Sequence, residues 1–366
     1  MDARSRIEAV LHRQRADRVP FVVYDNLFPR GQFERELRNR GMGLCARCST
    51  VYARMPNVSV ETRHEGETTL TIYHTPVGDV STRSRTHTGR VSDNMAIEVE
   101  GMIKSERDYE PVIFMLEDTV FEADWSLYTD LARDLGGDGI VRDAAIDPFF
   151  ESPPYGATRR FFGDLYGLDR WAYAQRDHPD HFARLLEAVE RREERRLKLV
   201  AQSPAEFVAF GWLGGLWSAS AFEQYELPFY QKWVPYLQAH GKVCALHADA
   251  TNLKAYASLI ARTGVDVVEA FTPPPVGDLS LKEARRAWGE RVIIWVNIPE
   301  TVFYFGPEAT RDYARQLLEE AATKEGLVIG FTEMGIWGAT DESTYAAFRA
   351  GILALAEALE DYGHCP

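Results

Sequence analysis

Five short apolar runs in the second half of the chain constrain its fold more than any other feature. They begin at Phe207 (FVAF), Val243 (VCAL), Val267 (VVEAF), Val292 (VIIWV) and Leu327 (LVIGF), at intervals of 36, 24, 25 and 35 residues. Such intervals are too long for hairpins and suit strand–helix–strand units. Amphipathic stretches fill them at 253–263, 281–288 and 308–323. Near-continuous apolar strands belong to a parallel sheet covered on both faces. Beyond the last run, Tyr345, Phe348, Ile352, Leu355 and Leu359 recur at alternating spacings of three and four. That is a closing helix with one buried stripe. The expected fold is an α/β (β/α)8 barrel in one domain spanning 1–366.

The first half is less regular. Residues 2–14 read as a helix and VPFVVY (19–24) as the first strand. Residues 45–102 are β-rich, with TLTIYHT followed by the turn-forming Pro76, Val77 and Gly78, and are expected to form an antiparallel insertion after the first strand. A barrel strand returns at GIVRDAAI (139–146), and 181–200 read as a long charged helix over Phe182, Leu185, Leu186 and Val189.

The net charge of −14 argues against nucleic acid or an anionic membrane as partner, since both need a basic footprint. No run reaches the ~20 apolar residues of a membrane span, and the charged N-terminus lacks the apolar stretch of a secretory signal. Four cysteines in 366 residues are too few for a disulfide scaffold. A cytoplasmic location is expected. Cys45 and Cys48 form one C-x-x-C, but without a second pair or a flanking βαβ pattern a metal or redox role is not expected of it.

In such barrels chemistry collects at the carboxyl ends of the strands. The first strand there ends in Tyr24, Asp25 and Asn26, the strand from Phe207 near Trp212, and the next in His247-Ala248-Asp249. Then come Glu269, Asn297 and finally Glu333. Residues i and i+2 of a strand share a face, so His247 and Asp249 can converge. One imidazole with several carboxylates is a divalent-metal set, and zinc accepts such donors. Each residue also has a plainer reading. His247 could cap the sheet, Asp249 could cap the helix beginning near Asn252, Glu269 could pair with a buried arginine such as Arg142, and Glu333 could be loop. Trp212, Trp217, Tyr225, Phe229 and Tyr230 are either a pocket for a flat substrate or core. Asp25 and Asn26 are candidate acid–base or orienting groups, or turn formers.

At these residues the chain resembles the uroporphyrinogen decarboxylase superfamily, which includes the zinc- and cobalamin-dependent methyltransferases. The resemblance runs through "R…ADRVPF", "TPVG", SAFEQYELPFYQKWVPYLQAHGKVCALHADA and GVDVVEAFTPPPVGDLSLKEARRAWGERVIIWVNIPETVF. It implies a TIM barrel. Methyl-transferring members carry a His-x-Cys after one late strand and a further Cys after the last, which together hold zinc. Carried over by position, His247 matches the histidine, Asp249 sits where the first cysteine would be, and Glu333 stands about where the second would be. Zinc held by nitrogen and oxygen is a harder Lewis acid than zinc held by sulfur, which would suit polarising a methylated oxygen or nitrogen. The decarboxylase's arginine-rich "RQAGR" loop is replaced here by DNLFPRGQ, with only Arg30 comparable. No D-x-H-x-x-G corrinoid-binding pattern occurs, so cobalamin would arrive on a separate protein.

The resemblance therefore implies a metal-dependent methyltransferase, or demethylase, moving a methyl group from a small methylated substrate to a corrinoid protein. Its expected sites are catalytic Asp25, Asn26 and Glu269; metal ligands His247, Asp249 and Glu333; and substrate contacts Tyr24, Arg142, Trp212 and Asn297. A homodimer is a further expectation. Two alternatives stay open: a metal-free decarboxylase or lyase of the same fold, and a non-catalytic corrinoid- or tetrapyrrole-binding protein.

Overall fold

The computed structural model describes residues 1–25, 30–86, 96–143, 165–166, 170–213, 218–321, 323–332 and 341–365. The chain divides into two compact units, one of residues 1–48, 126–144 and 204–366, the other of 49–125 and 145–203.

The first unit contains a closed barrel of eight parallel strands. In chain order they are β1 (Phe21–Tyr24), β2 (Met42–Cys48), β3 (Gly139–Asp143), β4 (Phe207–Trp212), β5 (Val243–His247), β6 (Val267–Phe271), β7 (Ile293–Ile298) and β8 (Leu327–Phe331). Each pairs with its successor, and β8 closes on β1 through Phe21↔Ile329. β6, β7 and β8 are buried at every position, as a sheet lined inside and covered by helices outside requires. All five apolar runs are barrel strands. The closing helix, Glu342–Tyr362, starts where the Asp341 carboxylate accepts the Thr344 N–H, and it buries Phe348, Ile352, Leu355 and Leu359.

The antiparallel excursion is present, but it leaves the barrel one strand later than expected. MGLCARC is itself β2, paired with β1 and β3 along its length. Glycine and arginine at two of its positions hid it, since they break the apolar run that marked the later strands. Helix Ala3–Leu11 packs close at Gly43, where a Cβ would come 2.8 Å from Ile7 Cδ1.

The second unit holds a two-stranded antiparallel pair, 51–54 with 120–123, and a four-stranded antiparallel sheet built from 59–65, 68–75, 78–86 and 96–100. Its helices Tyr109–Asp118 and Pro179–Gln202 pack together and bury Val112, Met115, Leu116, Phe182, Leu185 and Val189. Two exposed ion pairs, Arg184–Glu110 and Arg191–Glu117, staple the same helices. No described helix is long and apolar enough to cross a membrane.

Candidate active site at the carboxyl ends of the barrel strands

Strand alternation decides which side chains enter the barrel. On β2, Ala46 and Cys48 face outward with Val141 of β3, against Tyr128, Leu131 and Leu135 of the helix Ser126–Leu135. Cys45 and Arg47 therefore face inward, as Arg142 does on β3. Trp295 of β7 lies across the interior, stacked on Tyr24 of β1 and Phe207 of β4, each 6.1 Å away between ring centroids. This aromatic layer floors the mouth. Gly330 on β8 keeps it in place, because a Cβ there would approach Asn297 Oδ1 at 3.0 Å and Trp295 Nε1 at 3.1 Å.

Above that floor Glu269 is the hub. Its side chain is wholly buried; one carboxylate oxygen accepts the Tyr24 hydroxyl and the other the Arg142 guanidinium, also wholly buried. The link spans β1, β3 and β6, so it ties three strands across the interior. Of the two sequence readings of Glu269, the geometry displays the pairing with Arg142. Both arginines also lie against Tyr24, with Arg47 Cζ 4.6 Å and Arg142 Cζ 5.3 Å from the ring centroid, as cation–π attraction favours.

His247 ends β5 beside this hub. Its Nδ1 lies 3.8 Å from Glu269 Oε2, and its Nε2 lies 3.9 Å from Asp249 Oδ2. Burial, reinforced by the charges of Arg142 and Arg47, holds its pKa well below the ordinary histidine range. The imidazole is therefore neutral near pH 7, the form that can ligate a metal. Asp249 is more open, its side chain 43% exposed. It does not cap a helix: the turn Leu253–Tyr256 begins at Asn252 with no side-chain cap.

His247 and Asp249 thus offer adjacent nitrogen and oxygen donors, with Glu269 behind the far ring nitrogen. At 3.8 Å that carboxylate stands beyond hydrogen-bond reach of the ring nitrogen. The character of the two donors fits zinc, but among the described residues no group of three His, Cys, Asp or Glu side chains is assembled to hold an ion. The third expected donor, Glu333, lies outside the described residues, and so does Asn26.

The other expected residues sit as follows. Tyr24 and Arg142 belong to the Glu269 hub, Asp25 directly follows β1, and Asn297 is buried on β7. Trp212 closes β4 in register with His247. Of the flanking aromatics, Phe229 and Tyr230 are core, and Trp217 lies outside the described residues. Tyr230 packs so closely under β4 that a Cβ at Gly211 would meet its hydroxyl at 1.9 Å.

Sequence reasoning missed three residues. Arg47 was masked by the C-x-x-C around it, and Trp295 by the apolar run to which it belongs. Glu300 follows β7 by two positions; its backbone N–H donates to Thr332 Oγ1 at 2.8 Å, at the end of β8. Its Oε2 is buried, and burial raises its carboxyl pKa. The signal available was position alone, a carboxylate just past the end of a strand. The C-x-x-C itself holds two buried thiols whose pKa values burial pushes up, to about 11 at Cys45 and about 12 at Cys48. Thiols so protonated are poor nucleophiles and poor metal ligands.

No protein-family model matches the chain, and no curated protein is similar to it in sequence. Solved structures are similar in shape. A methyltransferase from Methanosarcina mazei aligns over 99% of this chain and 99% of its own, at a TM-score of 0.56 and 13% identity. A B12-independent methionine synthase from Shewanella sp. W3-18-1, solved with selenomethionine, aligns over 90% of this chain and 85% of its own, at 0.42 and 10%. At 13% identity the first likeness is one of fold: the chain shares the (β/α)8 barrel architecture of the Methanosarcina methyltransferase.

Proposed function

We propose that this chain is a metal-dependent methyltransferase that takes a methyl group from a small methylated substrate and passes it to a corrinoid carried by a separate protein. The observation that carries the reading is the neutral His247, with Asp249 in front of Nε2 and the Glu269 carboxylate behind Nδ1. The full-length fold likeness to a methyltransferase is consistent with it.

In this reading His247, Asp249 and Glu333 hold the ion, zinc in the first instance, which when bound supplies a Lewis acid to the methylated heteroatom. The protein's own groups do the rest. Glu269 lies behind the His247 ring and keeps Arg142 and Tyr24 in place. Tyr24, Trp295 and Phe207 close the floor of the mouth, so the substrate meets an apolar, water-poor surface on that side. Loss of the methyl group as CH3+ leaves an alkoxide, a phenoxide or, from a neutral methylamine, a nitrogen anion, each of which needs a proton. Glu300 is the candidate donor, because its raised pKa keeps the acid form present to higher pH.

The test is methyl transfer to cob(I)alamin, followed by its absorbance, with a panel of small methyl ethers and methylamines. At least one should react, a chelator should abolish the reaction, and added zinc should restore it. Glu300→Gln should lower the rate and remove the alkaline limb of the pH profile. A panel on which no member transfers a methyl group, with metal present, would sink the reading.

A further inference from the structure

Two side chains of β6 face opposite ways although they are only two positions apart. Glu269 points into the barrel, to Tyr24 and Arg142. Phe271 packs on Trp288 of the helix Leu281–Trp288, outside the barrel, with ring centroids 5.4 Å apart. On a regular strand, positions i and i+2 share a face. The register explains the exception. Val268 pairs with Ile294 and Phe271 with Val296, so Glu269 and Ala270 together stand opposite Trp295 alone. That is a β-bulge, one extra residue on β6. Ala270 absorbs it in the left-handed region, at φ 59°. Its carbonyl accepts the Thr272 hydroxyl at 3.2 Å, and both residues are buried.

Left-handed backbone is uncommon for residues with a Cβ. Arg13, the other described non-glycine residue with positive φ, directly follows the C-cap of helix Ala3–Leu11, where chains often adopt it. Ala270 lies instead in a fully buried strand, next to a buried ion pair. Such conformations persist where the surrounding structure over-determines them, and they gather at functional sites. The strand on the other side of β5 is irregular too: β4 shifts register between Ala209 and Gly211, and Trp212 comes opposite His247. The two irregularities bracket the strand that ends in His247.

We propose that Ala270 is a positioning residue: its left-handed backbone turns the Glu269 carboxylate to Tyr24 and Arg142 while β6 buries Phe271 on the opposite face. A β-branched residue resists that conformation and favours a regular strand. On a regular strand Glu269 and Phe271 share a face, so either the carboxylate or the phenyl ring leaves its place. Glycine enters the left-handed region freely. This inference rests on the proposed function only in assigning the Glu269 hub to the active site.

The experiment is nitrogen–proton NMR of the Arg142 side chain in the full-length protein, its signals assigned by their loss in Arg142→Met. Glu269→Gln gives the signature of an Arg142 without its carboxylate. Ala270→Val should lose or shift the Arg142 signals as Glu269→Gln does, while its melting curve stays cooperative. Ala270→Gly should keep them at the wild-type positions. A folded Ala270→Val chain with wild-type Arg142 signals would overturn the proposal, and so would a glycine variant that matches the valine one. If Ala270→Val does not fold, the same change is made together with Arg142→Met and Glu269→Leu. With no carboxylate left to aim, that chain should fold; failure there too would show that the position serves the strand alone and overturn the proposal. Methyl transfer to cob(I)alamin is measured on the same proteins. A wild type that transfers no methyl group, with Arg142 signals that follow Ala270→Val, indicts the proposed function alone. Transfer in the wild type, with Arg142 signals indifferent to the valine, indicts the role of Ala270 alone.

Discussion

Replacing Glu269 by Gln is expected to cost about 3–5 kcal/mol of stability, the usual penalty for breaking a buried ion pair from one side. The reason is geometric. Both carboxylate oxygens are in use, one by Tyr24 and one by Arg142, and neither side chain has more than a few per cent of its surface in water. An amide can still accept through its oxygen, but it removes the carboxylate charge that faces Arg142 inside the barrel. Combining Arg142→Met with Glu269→Leu should recover much of the loss, because a well-packed apolar pair of similar volume is often as stable as the ion pair it replaces. Denaturant unfolding of the wild type, Arg142→Met, Glu269→Leu and the double variant measures the coupling directly. Activity should separate from stability here. The double variant should be stable yet slow, since the carboxylate behind His247 Nδ1 is gone and such outer partners are worth about 10–100-fold in metal affinity. A double variant with wild-type turnover would show that Glu269 serves the scaffold alone.

The second large effect is expected from His247→Ala. Removing the neutral donor leaves carboxylates facing one another without an imidazole between them, so metal affinity should fall by at least about a hundredfold and activity with it. The barrel should remain folded, held by apolar strands that His247 only terminates. The same variant should change how stability depends on pH. Folded His247 resists protonation because of burial and the charges of Arg142 and Arg47. Unfolded, it takes up a proton near pH 6.5. Below that pH the unfolded state therefore binds the extra proton, and linkage makes the wild type lose stability as pH falls through 6.5 toward the lower folded value. His247→Ala deletes that contribution, so its loss of stability between pH 7 and 5.5 should be shallower. Urea midpoints at the two pH values decide it; parallel slopes would mean that the imidazole is solvated in the folded chain.

Which parts of this architecture could be read from residues follows from what each strand must bury. β5 to β8 are apolar on both faces and were legible as strands with helices between them. β2 was not, because its inward positions carry a glycine, a cysteine and an arginine, and its alternation looks like that of a solvent-facing strand. The boundary of the antiparallel insertion moved with it, from residue 45 to Ser49. At the site, His247, Asp249 and Glu269, grouped in the sequence by their places at strand ends, stand close together with Tyr24, while Glu333, grouped with them, lies outside the described residues. Their partnerships were beyond a one-dimensional reading. Glu269 and Arg142 are 127 positions apart and Glu269 and Tyr24 245, and only closure of the barrel brings them together. Arg47 was illegible for the same reason as β2.

The central claim is that the neutral imidazole of His247 belongs to a metal centre that drives methyl transfer. It is tested most directly by elemental analysis of the purified wild-type protein and its His247→Ala variant, each paired with methyl transfer to cob(I)alamin. Near-stoichiometric zinc in the wild type, lost together with activity in His247→Ala while the melting curve stays cooperative, is the result predicted here. A wild-type chain that is free of metal and transfers methyl groups at the same rate before and after chelation would contradict it.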